Sequence, residues 1–139
     1  MIRQPVIVDT NVLVAGLLTG NDASPVARIL DGMLAARFHF VVSEALLAEY
    51  RTVLVRPALR KLHGLSVGEV EQLLTEIAQH ATVLAPVAAP PAPDAGDQFL
   101  WELLAARSDL LLVTGDKALL DDAGMRPRVV SARDFVEGE

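Results

Sequence analysis

Five short apolar runs rich in β-branched residues, "PVIVD", "FHFVVS", "TVLA", "LLLVT" and "RVVS", recur along the chain with helix-forming stretches between them. Runs of this length and composition read as buried strands. Strands that alternate with helices imply a parallel sheet covered on both faces. The pattern makes the fold class α/β before any motif is considered.

The punctuation between the runs gives the order of elements. The first strand spans 6–9 and a short helix 12–18, with a turn at Gly20-Asn21-Asp22. Ser24 caps a helix that has Pro25 at its first position and runs to about Ala36. Ser43 caps the helix "EALLAEYRTVL", Arg56-Pro57 ends it, and "ALRKLHG" forms a shorter helix. Ser66 and Glu69 have the capping-box spacing and open a helix to about His80. Further helices are expected over 97–107, within "GDKALLDD" and from Ala132 onward. The stretch "APVAAPPAPDAGD" carries Pro86, Pro90, Pro91 and Pro93 and has a linker's composition. Only about 40 residues follow it, too few for a second stable domain. It therefore reads as a rigid crossover loop within a single domain of 139 residues.

Hydrophobic residues make up 52% of the chain, enough for a core, but no apolar run reaches the span of a bilayer. The N-terminus does not read as a signal peptide, because Pro5 follows Arg3 closely and Asp9 cuts the apolar stretch. The absence of cysteine excludes disulfides and thiolate metal sites, and a cytoplasmic protein with no membrane partner is the simplest expectation. A net charge of −6 argues against a broad basic surface for duplex binding. A nucleic-acid substrate stays open, since divalent cations held by clustered acids would reverse the local field.

Candidate acids follow from topology. Asp9 interrupts an apolar run at the carboxyl end of the first strand, where an unpaired carboxylate is costly. Asp116 follows "LLLVTG" at the carboxyl end of another strand. Sites in open parallel sheets form outside those ends, so neighbouring strands would bring the two acids together. Glu49 falls on the edge of the apolar arc made with Leu46 and Tyr50, while Glu44 and Arg51 lie on the solvated side. Asp97 shares a face with Leu100, Trp101 and Leu104, and Gln98 and Glu102 point away. Taken singly, capping of the following turn accounts for Asp9, an ordinary turn acid for Asp116, a favourable helix dipole for Asp97 and a surface ion pair for Glu49. Together, four carboxylates would repel unless cations sat among them, and oxygen-only ligands suit Mg²⁺ or Mn²⁺.

The blocks "VIVDTNVLVAGLL", "VSEALLAEYRTVL", "DAGDQFLWELLAA" and "LLVTGDKALL" resemble, in order, the successive blocks of PIN-domain proteins. The branch they resemble is that of toxin components of bacterial toxin–antitoxin systems, related to VapC-like ribonucleases. The resemblance implies a three-layer α/β/α sandwich with a central parallel sheet and a Mg²⁺- or Mn²⁺-dependent nuclease acting on RNA. It implies Asp9, Glu49, Asp97 and Asp116 as the catalytic and metal-holding acids, supported by Thr10, Asn11 and Thr114. It also implies a cognate antitoxin and a homodimer. Two departures stand out: Ala95-Gly96 replaces a richer acidic run, and Ala118 stands where relatives often carry a further acid.

On this reading Asp9, Asp97 and Asp116 hold one ion, and Glu49 helps with a second ion or orients a water. Arg56, Arg60 and Lys61 form the densest basic group and, with Lys117, are candidates for contacting RNA phosphates, although a solvated helix face is the simpler account of the first three and charge balance beside Asp116 an alternative for Lys117. His39, His63 and His80 show no ligand spacing, and Tyr50 and Trp101 read as core. A haloacid-dehalogenase-like phosphatase would need an acid two positions after Asp9, where Asn11 stands. The remaining rivals are a non-catalytic module that binds RNA or a partner, and an RNA-processing nuclease that is not a toxin.

Overall fold

The computed structural model describes residues 1–138. Five strands, β1 (Val6–Val8), β2 (Val41–Val42), β3 (Thr82–Val83), β4 (Leu111–Val113) and β5 (Val129–Val130), all pair in parallel. β1, β4 and β5 form one sheet in that order, β2 and β3 form another, and a parallel bridge from Val6 to Phe40 joins them. Read across, the order is β3-β2-β1-β4-β5. The chain runs outward from β1 to β3, then crosses back to β4 on the other side of β1. That reversal opens a crevice at the carboxyl ends of β1 and β4.

The strands are shorter than the sequence suggests, and capping is the reason. Asp9 turns from strand to helix cap, its Oδ1 accepting the Thr10 N–H at 2.8 Å, so α1 (Thr10–Leu18) starts two residues early. Ser43 ends β2 by accepting the Leu46 N–H at 3.1 Å, which opens α3 (Glu44–Leu54). Between them, α2 (Pro25–Leu34) stops before Ala36, which takes a left-handed φ of 54° while the Arg37 N–H returns to the Gly32 carbonyl at 2.8 Å. α4 (Pro57–His63) follows the Pro57 break, and α5 (Val67–His80) begins on the capping box of Ser66 and Glu69.

The Pro-rich crossover is pinned rather than free. Gln98 Oε1 accepts the Ala92 N–H at 2.7 Å, and its Nε2 donates to Pro90 O at 3.3 Å. Gln98 thus bonds the loop instead of only pointing away from the core. The helix expected over 97–107 is a 3-10 turn, Ala95–Asp97, followed by a shorter α6 (Gln98–Leu104). Arg128 ends it by donating to the carbonyls of Leu104 at 2.8 Å and Arg107 at 2.9 Å. Two short helices complete the chain, α7 (Lys117–Leu120) and α8 (Ala132–Glu137).

Val6, Ile7 and Val8 of β1 and Leu112 and Val113 of β4 are all buried, so side chains on both faces of the sheet are covered. Leu46, Tyr50 and Leu54 of α3, Leu100 and Leu103 of α6, and Ile29 and Met33 of α2 join them in one hydrophobic cluster. Each buried Leu or Ile contributes roughly 1.5–3 kcal/mol relative to leaving it exposed. Among the described residues no helix is long and apolar enough to cross a membrane.

Candidate active site

β1 and β4 pair with Val8 opposite Val113, which sets Asp9 beside Thr114 at the crevice. The Asp9 N–H continues the ladder to Val113 O at 2.9 Å. Beyond it, side chains take over. Thr114, fully buried, donates its hydroxyl to Asp9 Oδ2 at 2.8 Å and accepts the Asp116 N–H at 3.0 Å. Asn11 Oδ1 accepts the Gly115 N–H at 2.9 Å, and its Nδ2 lies 3.4 Å from both Asp9 Oδ2 and Thr114 Oγ1. Asp116 uses Oδ1 to cap α7 through the Ala118 N–H at 2.9 Å. Capping and convergence therefore coexist: both Asp9 and Asp116 start helices and still face the crevice.

Glu49 arrives from α3. Its neighbour Tyr50 is fully buried and donates its hydroxyl to Val8 O at 2.5 Å, tying α3 to the last residue of β1. Asp97 arrives at the junction of the 3-10 turn and α6, with Phe99, Leu100 and Leu103 behind it packed on the core.

The four acids line one cavity of about 550 Å³, together with Thr10 and Asn11. Val14, Val53 and Phe99 supply apolar wall, and no lining residue is basic. Burial pushes the Asp9 carboxyl up, and the charges of Asp116 and Glu49 push it further, against the lowering bonds from Thr114 and Thr10. Asp97 is raised by burial and then by Asp9, Asp94, Asp116 and Glu49. Burial, with the charge of Asp9, also raises the Tyr50 phenol, which stays a neutral donor.

Two observations bear on a cation. The donor set is all oxygen and mutually repulsive, which a hard divalent ion relieves. Thr10 Oγ1 at the cavity is buried without a hydrogen-bond partner. No three His, Asp or Glu side chains among the described residues form a ready-made metal cage. The residues fit such an ion by the chemistry of their oxygen donors.

The sequence matches the PIN domain family over residues 5–118. This chain belongs to the PIN-domain family. PIN domains are generally nucleases and typically use divalent metal ions, so the crevice lies in a nuclease fold. No curated protein matches the chain.

Not every candidate of this PIN domain reaches the cavity. Thr114 lies beneath it as a brace rather than in its lining. Arg56, Arg60, Lys61 and Lys117 do not line it either. Arg60 and Lys61 border a separate cavity with Gly64, Ser66 and Glu69. Three contributors escaped the sequence reading: the Tyr50 tether, the Gln98 loop anchor, and the apolar wall of Val14, Val53 and Phe99. Only Val53 carried a signal, four residues after Glu49 on the same helix edge.

Proposed function

We propose that this PIN domain is a metal-dependent endoribonuclease and the toxin of a type II toxin–antitoxin pair. The observation that carries the reading is the convergence of Asp9, Glu49, Asp97 and Asp116, from four separate stretches of chain, on one cavity without a basic residue. Asp9, Asp97 and Asp116 would hold Mg²⁺ or Mn²⁺, with Glu49 assisting. Held by these residues, such an ion would supply an acidified water and offset charge on the attacked phosphodiester.

The protein's own groups do the rest. The Thr114 hydroxyl and the Thr10 N–H, each at 2.8 Å, fix the Asp9 carboxylate, so its free lone pairs keep one direction. Glu49, partly exposed on the cavity wall, would orient the attacking water or help to hold a second ion. Val14, Val53 and Phe99 keep bulk water from one side of the site.

An acidic cavity with no cation of its own is also complementary to an inserted arginine, the form of contact a cognate antitoxin would make. Homodimerisation and a cytoplasmic location complete the proposal on the strength of the family resemblance.

The test is incubation of purified protein with a mixed RNA pool in Mg²⁺, Mn²⁺ or EDTA, beside Asp9→Asn. Cleavage is expected only with metal and only with Asp9. A folded, metal-binding protein that leaves every RNA intact would return the reading to a binding module.

A further inference from the structure

A second cavity, of about 510 Å³, shares Asn11 and Ala15 with the acidic one. Its other walls include Val12 of α1, Pro25 and Val26 of α2, Leu120 of α7, Ala132 and Arg133 of α8, and the polar Thr114 and Ser131. The two hollows thus adjoin across Asn11, which Gly115 holds in place at 2.9 Å.

Their linings are opposite in character. The first carries four carboxylates and no basic residue. The second carries no carboxylate and one guanidinium, Arg133. Arg133 pairs with Glu137 at 3.6 Å, but both side chains are mostly exposed, at 75% and 65%. Such a pair contributes little, so the guanidinium can turn to another anion at small cost.

We infer that this second hollow seats the nucleotide adjoining the attacked phosphodiester, with Arg133 on that nucleotide's phosphate; the inference rests on the RNA-cleaving reading of the acidic cavity. A strand crossing Asn11 would set a phosphate among the acids and their cation, a base against Pro25 and Val26, and the next phosphate near Arg133. Grooves for single strands combine a cationic track for the backbone with side-chain faces for bases, and here aliphatic Pro25 and Val26 stand where such grooves commonly carry aromatic rings. The volume lies in the range of small-ligand sites. Asn11 Oδ1 is taken by the Gly115 N–H at 2.9 Å, which leaves the seat to grip a base mainly by its face rather than its edge. Weak base preference at this nucleotide follows.

The experiment is fluorescence anisotropy of a labelled single-stranded RNA hexamer in Ca²⁺, with parent, Arg133→Ala, Ala132→Phe and Glu137→Ala proteins, each checked for folding by circular dichroism. Arg133→Ala is expected to weaken binding about tenfold and to lower the salt slope by about one. Ala132→Phe fills the hollow and should weaken binding similarly. Glu137→Ala breaks the same ion pair without touching the seat and should bind like the parent, which separates a phosphate contact from a structural role. Parent-like binding by both Arg133→Ala and Ala132→Phe overturns the inference. If the parent cuts RNA while those variants bind normally, the nuclease stands and the seat falls. If binding depends on the seat but no RNA is cut, the seat stands and the nuclease reading falls. A parent that binds no RNA overturns both and leaves the hollow to a protein partner.

Discussion

Replacing Thr114 by valine keeps the buried shape and removes the one hydroxyl that braces two of the four acids. Thr114 is fully buried, so no water replaces what is lost. The bond to Asp9 Oδ2, at 2.8 Å, has a charged acceptor and contributes about 1.5–3 kcal/mol. The Asp116 N–H, bonded at 3.0 Å, loses its acceptor at a cost of about 1 kcal/mol. The 3.4 Å approach of Asn11 Nδ2 is too long to add much. Thr114→Val should therefore lose about 3 kcal/mol, a large share of the roughly 7–15 kcal/mol that typifies a chain of this size. Urea unfolding in EDTA, followed by circular dichroism, measures it directly. Thr114→Ser keeps the hydroxyl and should lose only about 1 kcal/mol for the missing methyl. Valine and serine variants of equal stability, or a valine variant within about 0.5 kcal/mol of the parent, would refute the brace.

Two further outcomes are expected. Asp9 and Asp97 both titrate above the ordinary aspartate value of 3.8, chiefly through burial and then through their acidic neighbours. The fold thus holds protons more tightly than the unfolded chain, and their contribution to stability is fully present below 3.8 and lost as pH rises through the raised values. Without metal, unfolding free energy should gain from this pair on mild acidification, and Asp9→Asn or Mg²⁺ should flatten that slope; urea titrations with EDTA or Mg²⁺ across that window would show a slope insensitive to both if the reasoning fails. Tyr50→Phe removes the 2.5 Å bond to Val8 O and should cost about 1–3 kcal/mol while weakening metal affinity, because Glu49 loses its tether to β1. Calorimetric Mg²⁺ binding unchanged from the parent would make Tyr50 a core residue only.

Local signals were legible. Ser24, Ser43 and Ser66 open helices where the sequence places them, because a cap is a bond to an N–H three residues on. Element ends were less so. α6 stops at Leu104, where Arg128, distant in sequence, takes the carbonyls of Leu104, Arg107 and Leu110. Gln98 looked like a solvated position, since helical periodicity gives a direction around an axis but not the loop that lies there. The basic residues Arg56, Arg60 and Lys61 form a group in sequence, yet none lines the acidic cavity, and Arg60 and Lys61 border a different one.

The sequence alone determined that β-rich runs alternate with helices, and that Asp9 and Asp116 sit at carboxyl ends of strands. Both follow from periodicity and from the cost of an acid inside an apolar run. Only the tertiary structure decided that β4 lies next to β1 with Val113 opposite Val8, which lets Thr114 hold Asp9 across 105 residues of chain. It also decided that Tyr50 ties α3 to β1, which commits Glu49 to the cavity rather than to solvent. A residue's own stretch fixes its backbone conformation, but strand order and the packing of helices on the sheet fix which distant carboxylates share a space.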